Sequence, residues 1–312
     1  MTDLMDKTLK IAELDFSQFT ADRAKFGRDL LAGMRETGFI VIRNHTIPQT
    51  DIDAVEAASR DFFAQPVESK TQYAMPESHF QRGYSPFGTE SAKDQDAPDL
   101  KEFWHVGRDT IPGIPGTPSV KGLPQFDRAS HDLFDAMDDF ARTLMISIGE
   151  TLDMTPERMS AALENGNSIL RLLHYPPMPE GAGSSVRAAE HEDINLLTLL
   201  LGAEEAGLQV KHRSGVWLSI DAPLGSLVVN AGDMLDRLTG GVIPSTTHRV
   251  VNPTRERAPH SRYSMPFFLH PANDFLLEAL PTCLEMGGTA KTPITARAYL
   301  DERLREIGLA KA

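Results

Sequence analysis

The chain has 312 residues, 41% of them apolar and 24% charged, with a net charge of −13 and a single cysteine. That length and composition support a sizeable buried core in one large or two modest globular units. The acidic balance argues against a nucleic-acid partner, which needs clustered Lys and Arg, and no stretch reaches the roughly 18 apolar residues of a membrane span. Cys283 alone cannot form an internal disulfide, and the N-terminal MTDLMDKTLKIAELDF lacks a secretory apolar core. These features predict a cytoplasmic protein.

In chain order, Phe26, Leu30, Leu31 and Met34 recur at helical spacing over 20–36, and Gly38 follows as a stop. Phe39-Ile40-Val41-Ile42 reads as a short buried strand, and a second helix is predicted over 49–65. Residues 76–124, rich in Gly, Pro, Ser and charge, read as one long irregular connection. Such a connection is as readily a binding loop or lid as a plain surface loop. A long helix is predicted over 125–152, where Leu133, Met137, Phe140, Leu144 and Ile148 mark one face.

From 168 the pattern changes to short strands, predicted at 168–175, 194–201, 207–212, 216–219, 226–230, 246–251 and 262–269. Turn signals such as Pro176-Pro177, Ser214-Gly215 and Gly240-Gly241 separate them. An amphipathic helix over 294–308 closes the chain. Regularly spaced short strands favour a sandwich, barrel or jelly roll. The predicted fold class is therefore mainly β with flanking helices (α+β). It forms one structural unit: an N-terminal region with a lid-like loop (1–124), a β core with the long helix (125–293) and a C-terminal helix (294–312).

Within this core, His191 and Asp193 sit two residues apart in what reads as extended chain, so they project together while Glu192 points away. One imidazole and one carboxylate on a face are two-thirds of a 2-His-1-carboxylate set, which binds iron(II) and leaves adjacent positions open. His248, opening the β-branched strand near Thr246-Thr247, is the best third ligand. The plainer reading of each, a satisfied structural residue, is common. A second i, i+2 pair strengthens the site: Arg262 and Ser264 share a strand face, and a guanidinium beside a hydroxyl clamps a carboxylate.

Other histidines are weaker candidates. His212 and His260 read as solvated, His45 and His105 as packing or hydrogen-bonding residues, and His270 as lining the site mouth. Asp233 reads as a turn residue with no catalytic part, Trp104 and Trp217 as packing residues, and Cys283 as an unactivated loop thiol. Tyr84 and Phe268 are the candidate substrate-pocket residues.

With these motifs in place, the chain resembles the isopenicillin N synthase-like branch of the iron(II)/2-oxoglutarate-dependent dioxygenases almost throughout. GFIVIRNHTIP at 38–48, GYSPFGTE at 83–90 and KEFWHVGRD at 101–109 are similar to that family's N-terminal region. LRLLHYPP at 170–177, HEDINLLTLL at 191–200, LVVNAGDMLDRLTGG at 227–241, STTHRVVNP at 245–253 and RYSMPFF at 262–268 follow its core in order. The resemblance implies a distorted double-stranded β-helix, a jelly roll, with His191, Asp193 and His248 on iron(II). It also implies that Arg262 and Ser264 hold the distal carboxylate of 2-oxoglutarate, with Tyr175 touching the same cosubstrate. Dioxygen, a small organic substrate and, as a further candidate, ascorbate complete the implied set. Leu173 stands where many plant members carry an asparagine, which removes one hydrogen bond to 2-oxoglutarate.

The runner-up is a 2-oxoglutarate-independent oxidase of the same fold, since isopenicillin N synthase and aminocyclopropane carboxylate oxidase also carry R-x-S. Readings of a different class are a zinc-dependent hydrolase or cupin-like binder, and a non-catalytic β-sandwich module.

Overall fold

The computed structural model describes residues 10–89, 101–177, 188–201, 207–251 and 260–306. Strand β1 (Ala12–Asp15) leads through helix α1 (Ser17–Ala21) to α2 (Arg23–Thr37), β2 (Phe39–Arg43), α3 (Gln49–Phe63) and α4 (Val67–Thr71). Strands β3 (Gly83–Ser85) and β4 (Glu102–Gly107) precede the long α5 (Pro124–Thr151) and α6 (Pro156–Glu164). Next come β5 (Ile169–Tyr175), β6 (Ala188–His191), β7 (Leu197–Leu201), β8 (Leu208–Lys211), β9 (Trp217–Ser219) and β10 (Leu227–Ala231). Helix α7 (Asp233–Leu238) separates these from β11 (His248–Val250), β12 (Arg262–Ser264) and β13 (Phe267–Leu269). The last elements are β14 (Leu276–Leu277), α8 (Pro281–Glu285), β15 (Ile294–Thr295) and α9 (Ala296–Glu306).

Two sheets face each other. The larger runs β1-β2-β10-β7-β13-β5-β4-β3, with β12 also pairing with β5, and the smaller runs β6-β11-β8-β9. Period-2 alternation divides the larger sheet's side chains between two layers. Ile40, Ile42, Leu170, Leu172, Leu227 and Val229 join the main core beneath α2, α3 and α5. Phe39, Val41 and Val228 face the other way and meet Val210 and Leu218 of the smaller sheet. This is the layering of a jelly roll, and the space between the sheets is where side chains of both can converge.

The α2–β2 corner shows how the sequence sets this geometry. The Asp22 carboxylate accepts the Lys25 amide to cap α2 at its start, and Gly38 ends it at φ +70. A Cβ at Gly38 would stand 2.2 Å from the Pro244 carbonyl oxygen, so only glycine lets β2 enter the sheet there.

Three expectations are corrected. Residues 76–124 are not irregular throughout: β3 and β4 lie inside that span, and β4 is buried along its whole length between β3 and β5. Residues 90–100, part of the expected lid, lie outside the described residues. The stretch 262–269 is two strands, because Pro266 lacks an amide to donate to the ladder. The strand expected from 194 begins at Leu197, and the chain ahead of it forms β6, ending at His191. Strands from before and after residue 124 share the larger sheet, since β2 pairs with β10 and β4 with β5.

Candidate metal and cosubstrate site

His191 ends β6, and His248 opens β11 directly opposite it in antiparallel register. Their rings lie 4.3 Å apart between centroids. Asp193 sits two residues past β6, in the turn toward β7, not on the strand as the sequence suggested. The approach survives this difference: His191 Nε2 is 3.8 Å from Asp193 Oδ1, and His248 Nε2 is 3.8 Å from Asp193 Oδ2. One potential ligand atom from each residue lies within 4.8 Å of the other two.

The surrounding hydrogen bonds aim these atoms. His191 Nδ1 donates to the Ala189 carbonyl at 2.8 Å and His248 Nδ1 to the Thr246 carbonyl at 3.1 Å. With Nδ1 carrying the proton, the Nε2 lone pair of each ring points to the shared space. Asp193 Oδ2 accepts from Thr198 Oγ1 at 2.5 Å and from Asn230 Nδ2 at 2.8 Å, and Asn195 Nδ2 donates to Thr198 Oγ1. Burial pushes the Asp193 pKa up, but His248, His191 and the Thr198 and Asn230 hydrogen bonds outweigh it and hold the group below its ordinary value. The walls around His191, then the His248 ring, lower that imidazole's pKa. Among the described residues no Lys or Arg stands within ion-pair distance of Asp193. A buried carboxylate with two imidazole Nε2 atoms converging on it is a donor set that fits a divalent transition ion.

The Asp193 and His248 side chains are each 8% exposed, whereas the His191 side chain is 45% exposed. Access therefore comes from the His191 side. Glu192 points away as expected, and its Oε1 accepts from Thr247 Oγ1 at 2.9 Å.

The pair expected to clamp an anion lies on β12 beside β5, where Arg262 pairs with Tyr175 and Ser264 with Leu173. Arg262 and Ser264 are buried, and the Arg262 guanidinium carbon sits 5.4 Å from the Tyr175 ring centre. Leu173 packs with Phe103 and Tyr175, an apolar contact in the position of the missing asparagine.

Of the two pocket candidates, Phe268 pairs with Thr198, the residue that supports Asp193, and it is half-buried. The Arg171 guanidinium stands 5.6 Å from its ring and 4.3 Å from that of Phe103. Arg171 Nε donates to His105 Nε2 at 2.7 Å, and His105 Nδ1 donates to the Phe80 carbonyl. Sequence reasoning missed Arg171, although it precedes Tyr175 by four residues on one strand face. Tyr84 is corrected. It pairs with Trp104 and shares the helix-side face with it, fully buried, and its hydroxyl donates to Glu102 at 2.5 Å. Burial and that carboxylate push the phenol pKa up.

His212 is also corrected. It is buried, with Nδ1 2.8 Å from Ser214 Oγ and Nε2 3.4 Å from Glu36. Cys283 lies on α8, not in a loop, and burial raises its thiol to about 11. His260 is exposed and Trp104 is core, as expected, and Trp217 lies beneath the Arg249 guanidinium. Burial lowers the His270 pKa to about 4, and Asp193 and Arg82 are near enough for their charges to act on it. Asp233 opens α7 and ion-pairs with Arg303 at 2.8 Å.

Comparison with known proteins gives the class. Residues 166–271 match the 2OG-Fe(II) oxygenase superfamily, and residues 11–126 match the family described as non-haem dioxygenase in morphine synthesis N-terminal. A crystal structure of a 2OG-Fe(II) oxygenase family protein from Caulobacter crescentus is 43% identical, with a TM-score of 0.87 over 96% of this chain and 100% of that one. A full-length Neurospora crassa protein crystallised in complex with alpha-KG is 30% identical, with a TM-score of 0.84 over 94% of this chain and 95% of that one. The 2-oxoglutarate-Fe(II) type oxidoreductase hxnY of Emericella nidulans is 30% identical over 90% of this chain and 85% of its own length. The chain belongs to the 2OG-Fe(II) oxygenase superfamily. It is an iron(II)/2-oxoglutarate-dependent dioxygenase with a double-stranded β-helix core, and the 2-oxoglutarate-independent alternative is not favoured. Among the described residues no helix is long and apolar enough to cross a membrane.

Proposed function

We propose that His191, Asp193 and His248 hold the iron, and that Arg262, Ser264 and Tyr175 hold 2-oxoglutarate. The observation that carries this reading is the convergence of three donors around a buried carboxylate that, among the described residues, has no Lys or Arg to pair it. Bound there, iron(II) supplies the dioxygen chemistry that couples decarboxylation of 2-oxoglutarate to oxidation of a substrate carbon.

The protein's share is orientation and exclusion of water. Arg262 offers a fork of donors to the distal carboxylate, Ser264 adds a hydroxyl, and Tyr175 packs against the guanidinium. Leu173 and Phe103 line the same inner face with apolar surface, which strengthens the charge pair by keeping water out.

The primary substrate on this reading is a small organic molecule, taken on the side of the cavity framed by Phe268, Phe103 and Arg171. The aromatic faces of Phe268 and Phe103 on that side suit a planar group. Crystals of the Neurospora relative hold thymine or 5-formyluracil with alpha-KG, which supports a compact substrate. The acidic composition supports a partner other than nucleic acid, and the lone cysteine supports a cytoplasmic setting.

The test is a coupled measurement on iron-loaded protein under air. Succinate formation equal to oxygen uptake is expected. Oxygen uptake without succinate would assign the chain to the 2-oxoglutarate-independent oxidases, and undiminished activity with zinc in place of iron would overturn the reading.

A further inference from the structure

The three ligand candidates stand on two backbone segments, 191–193 and the start of β11, and a third segment packs against them. Gly232 and Asp233 lie directly on the Asp193 turn. The Asp233 amide donates to the Asp193 carbonyl at 2.8 Å, and the Met234 amide donates to the Asn195 carbonyl at 3.0 Å. A Cβ on Gly232 would meet Asn195 Oδ1 at 2.1 Å and the Asp193 carbonyl oxygen at 2.7 Å, so the approach requires glycine.

Arg303, near the end of α9, reaches this junction from 110 residues away in sequence (303 − 193). Its Nε is 2.8 Å from Asp233 Oδ2, its Nη2 is 4.0 Å from Glu192 Oε2, and its Nη1 donates to Glu306 at 2.6 Å. Glu192 lies between His191 and Asp193 in sequence, and its other oxygen accepts from Thr247 beside His248. One guanidinium thus stands between the carboxylate next to two ligands and the carboxylate whose amide holds the third element in place, paired with them by charge and not by an aligned hydrogen bond. Asp233 is 7% and Arg303 27% exposed, so solvent screens this contact far less than a surface pair.

We propose that Arg303 is a positioning residue for the metal: the C-terminal helix buckles the ligand-bearing segments together, and affinity for a divalent ion depends on it. This inference rests on the ligand assignment proposed above. Residues behind a ligand set fix the ligands' directions, and their loss costs about 10–100-fold in metal affinity. A lysine keeps the charge but not the fork.

The test titrates full-length metal-free protein with Mn(II), following free Mn(II) by electron paramagnetic resonance, with thermal unfolding of the metal-free proteins as a check on folding. Arg303→Ala and Asp233→Asn are each expected to weaken binding by about tenfold or more. The double variant should be no weaker than the poorer single one, and Arg303→Lys should recover part of the loss. A folded Arg303→Ala protein that binds Mn(II) within about twofold of the wild type would overturn the inference, since the expected loss is far larger. Should that variant fail to fold, Asp233→Asn is read in its place. His191→Ala separates the two layers of the argument. Binding that persists in His191→Ala breaks the ligand assignment itself, whereas binding lost there but unchanged in Arg303→Ala breaks only the buckle.

Discussion

Two buried carboxylates in this molecule are treated in opposite ways. Glu102 is closed: Lys70 Nζ reaches its two oxygens at 2.7 and 3.0 Å, Tyr84 donates at 2.5 Å, and His174 Nδ1 lies 2.8 Å from Oε1. Among the described residues Asp193 has only neutral donors, Thr198 and Asn230, both on Oδ2, and two imidazoles whose lone pairs face it. Both groups titrate below their ordinary values, so the shift does not tell them apart. What differs is whether a cationic partner is already present. A buried anion with its own cation is a structural element, and one with lone pairs converging on it is a site for an added cation.

The comparison can be broken most severely at Asp193. Asp193→Ala should abolish turnover and remove the rise in melting temperature that iron(II) or Mn(II) gives the wild type, read by thermal unfolding with and without metal. Lys70→Met comes next: stranding Glu102 should cost about 3–5 kcal/mol in urea unfolding, and the loss should be the same with or without metal. A loss that metal repairs would mean the two carboxylates are not independent.

Smaller effects sharpen the contrast. Arg262→Ala should raise the KM for 2-oxoglutarate by about thirtyfold, or about 2 kcal/mol, with a smaller change in kcat, because it removes one partner of a buried charge pair. Asn230→Ala deletes one of the two donors to Asp193 Oδ2 and should weaken metal binding by about tenfold, read by Mn(II) titration. The smallest effect is on pH. Glu102 sits below its ordinary value of 4.5, so its contribution is complete above that value and lost as the pH falls through the lowered one. Acid unfolding below pH 4.5 should therefore be shallower in Glu102→Gln than in the wild type, each measured relative to its own stability at neutral pH.

The same contrast explains what could be read from the sequence. Ligand and clamp pairs were legible because spacing of two fixes a shared direction over short distances: Arg262 with Ser264, and His191 with Asp193 even across a strand end. The long helix and strands β8, β9 and β11 of the smaller sheet were legible from apolar pattern and turn signals, whereas β6 was not. Register across strands was not. Tyr84 looked like a pocket residue beside a loop, yet pairing with Trp104 turns it to the helix side. Strand β4 was hidden because Glu102 and His105 are polar where a buried strand is expected to be apolar, and their partners Lys70, His174 and Arg171 come from distant segments. His212 misled in part for the same reason: Glu36, which accompanies it, comes from a distant segment and does not show in the local Lys-His-Arg pattern. Thr198 and Asn230 carry no motif, and only the fold brings them to Asp193.

The most direct measurement is anaerobic addition of iron(II) and 2-oxoglutarate to the metal-free protein while the visible spectrum is followed. A metal-to-ligand charge-transfer band that appears only with both present, and is absent in Asp193→Ala, is the expected result. A wild-type spectrum with no such band, or an equal band in Asp193→Ala, would contradict the assignment of His191, Asp193 and His248 as the metal site.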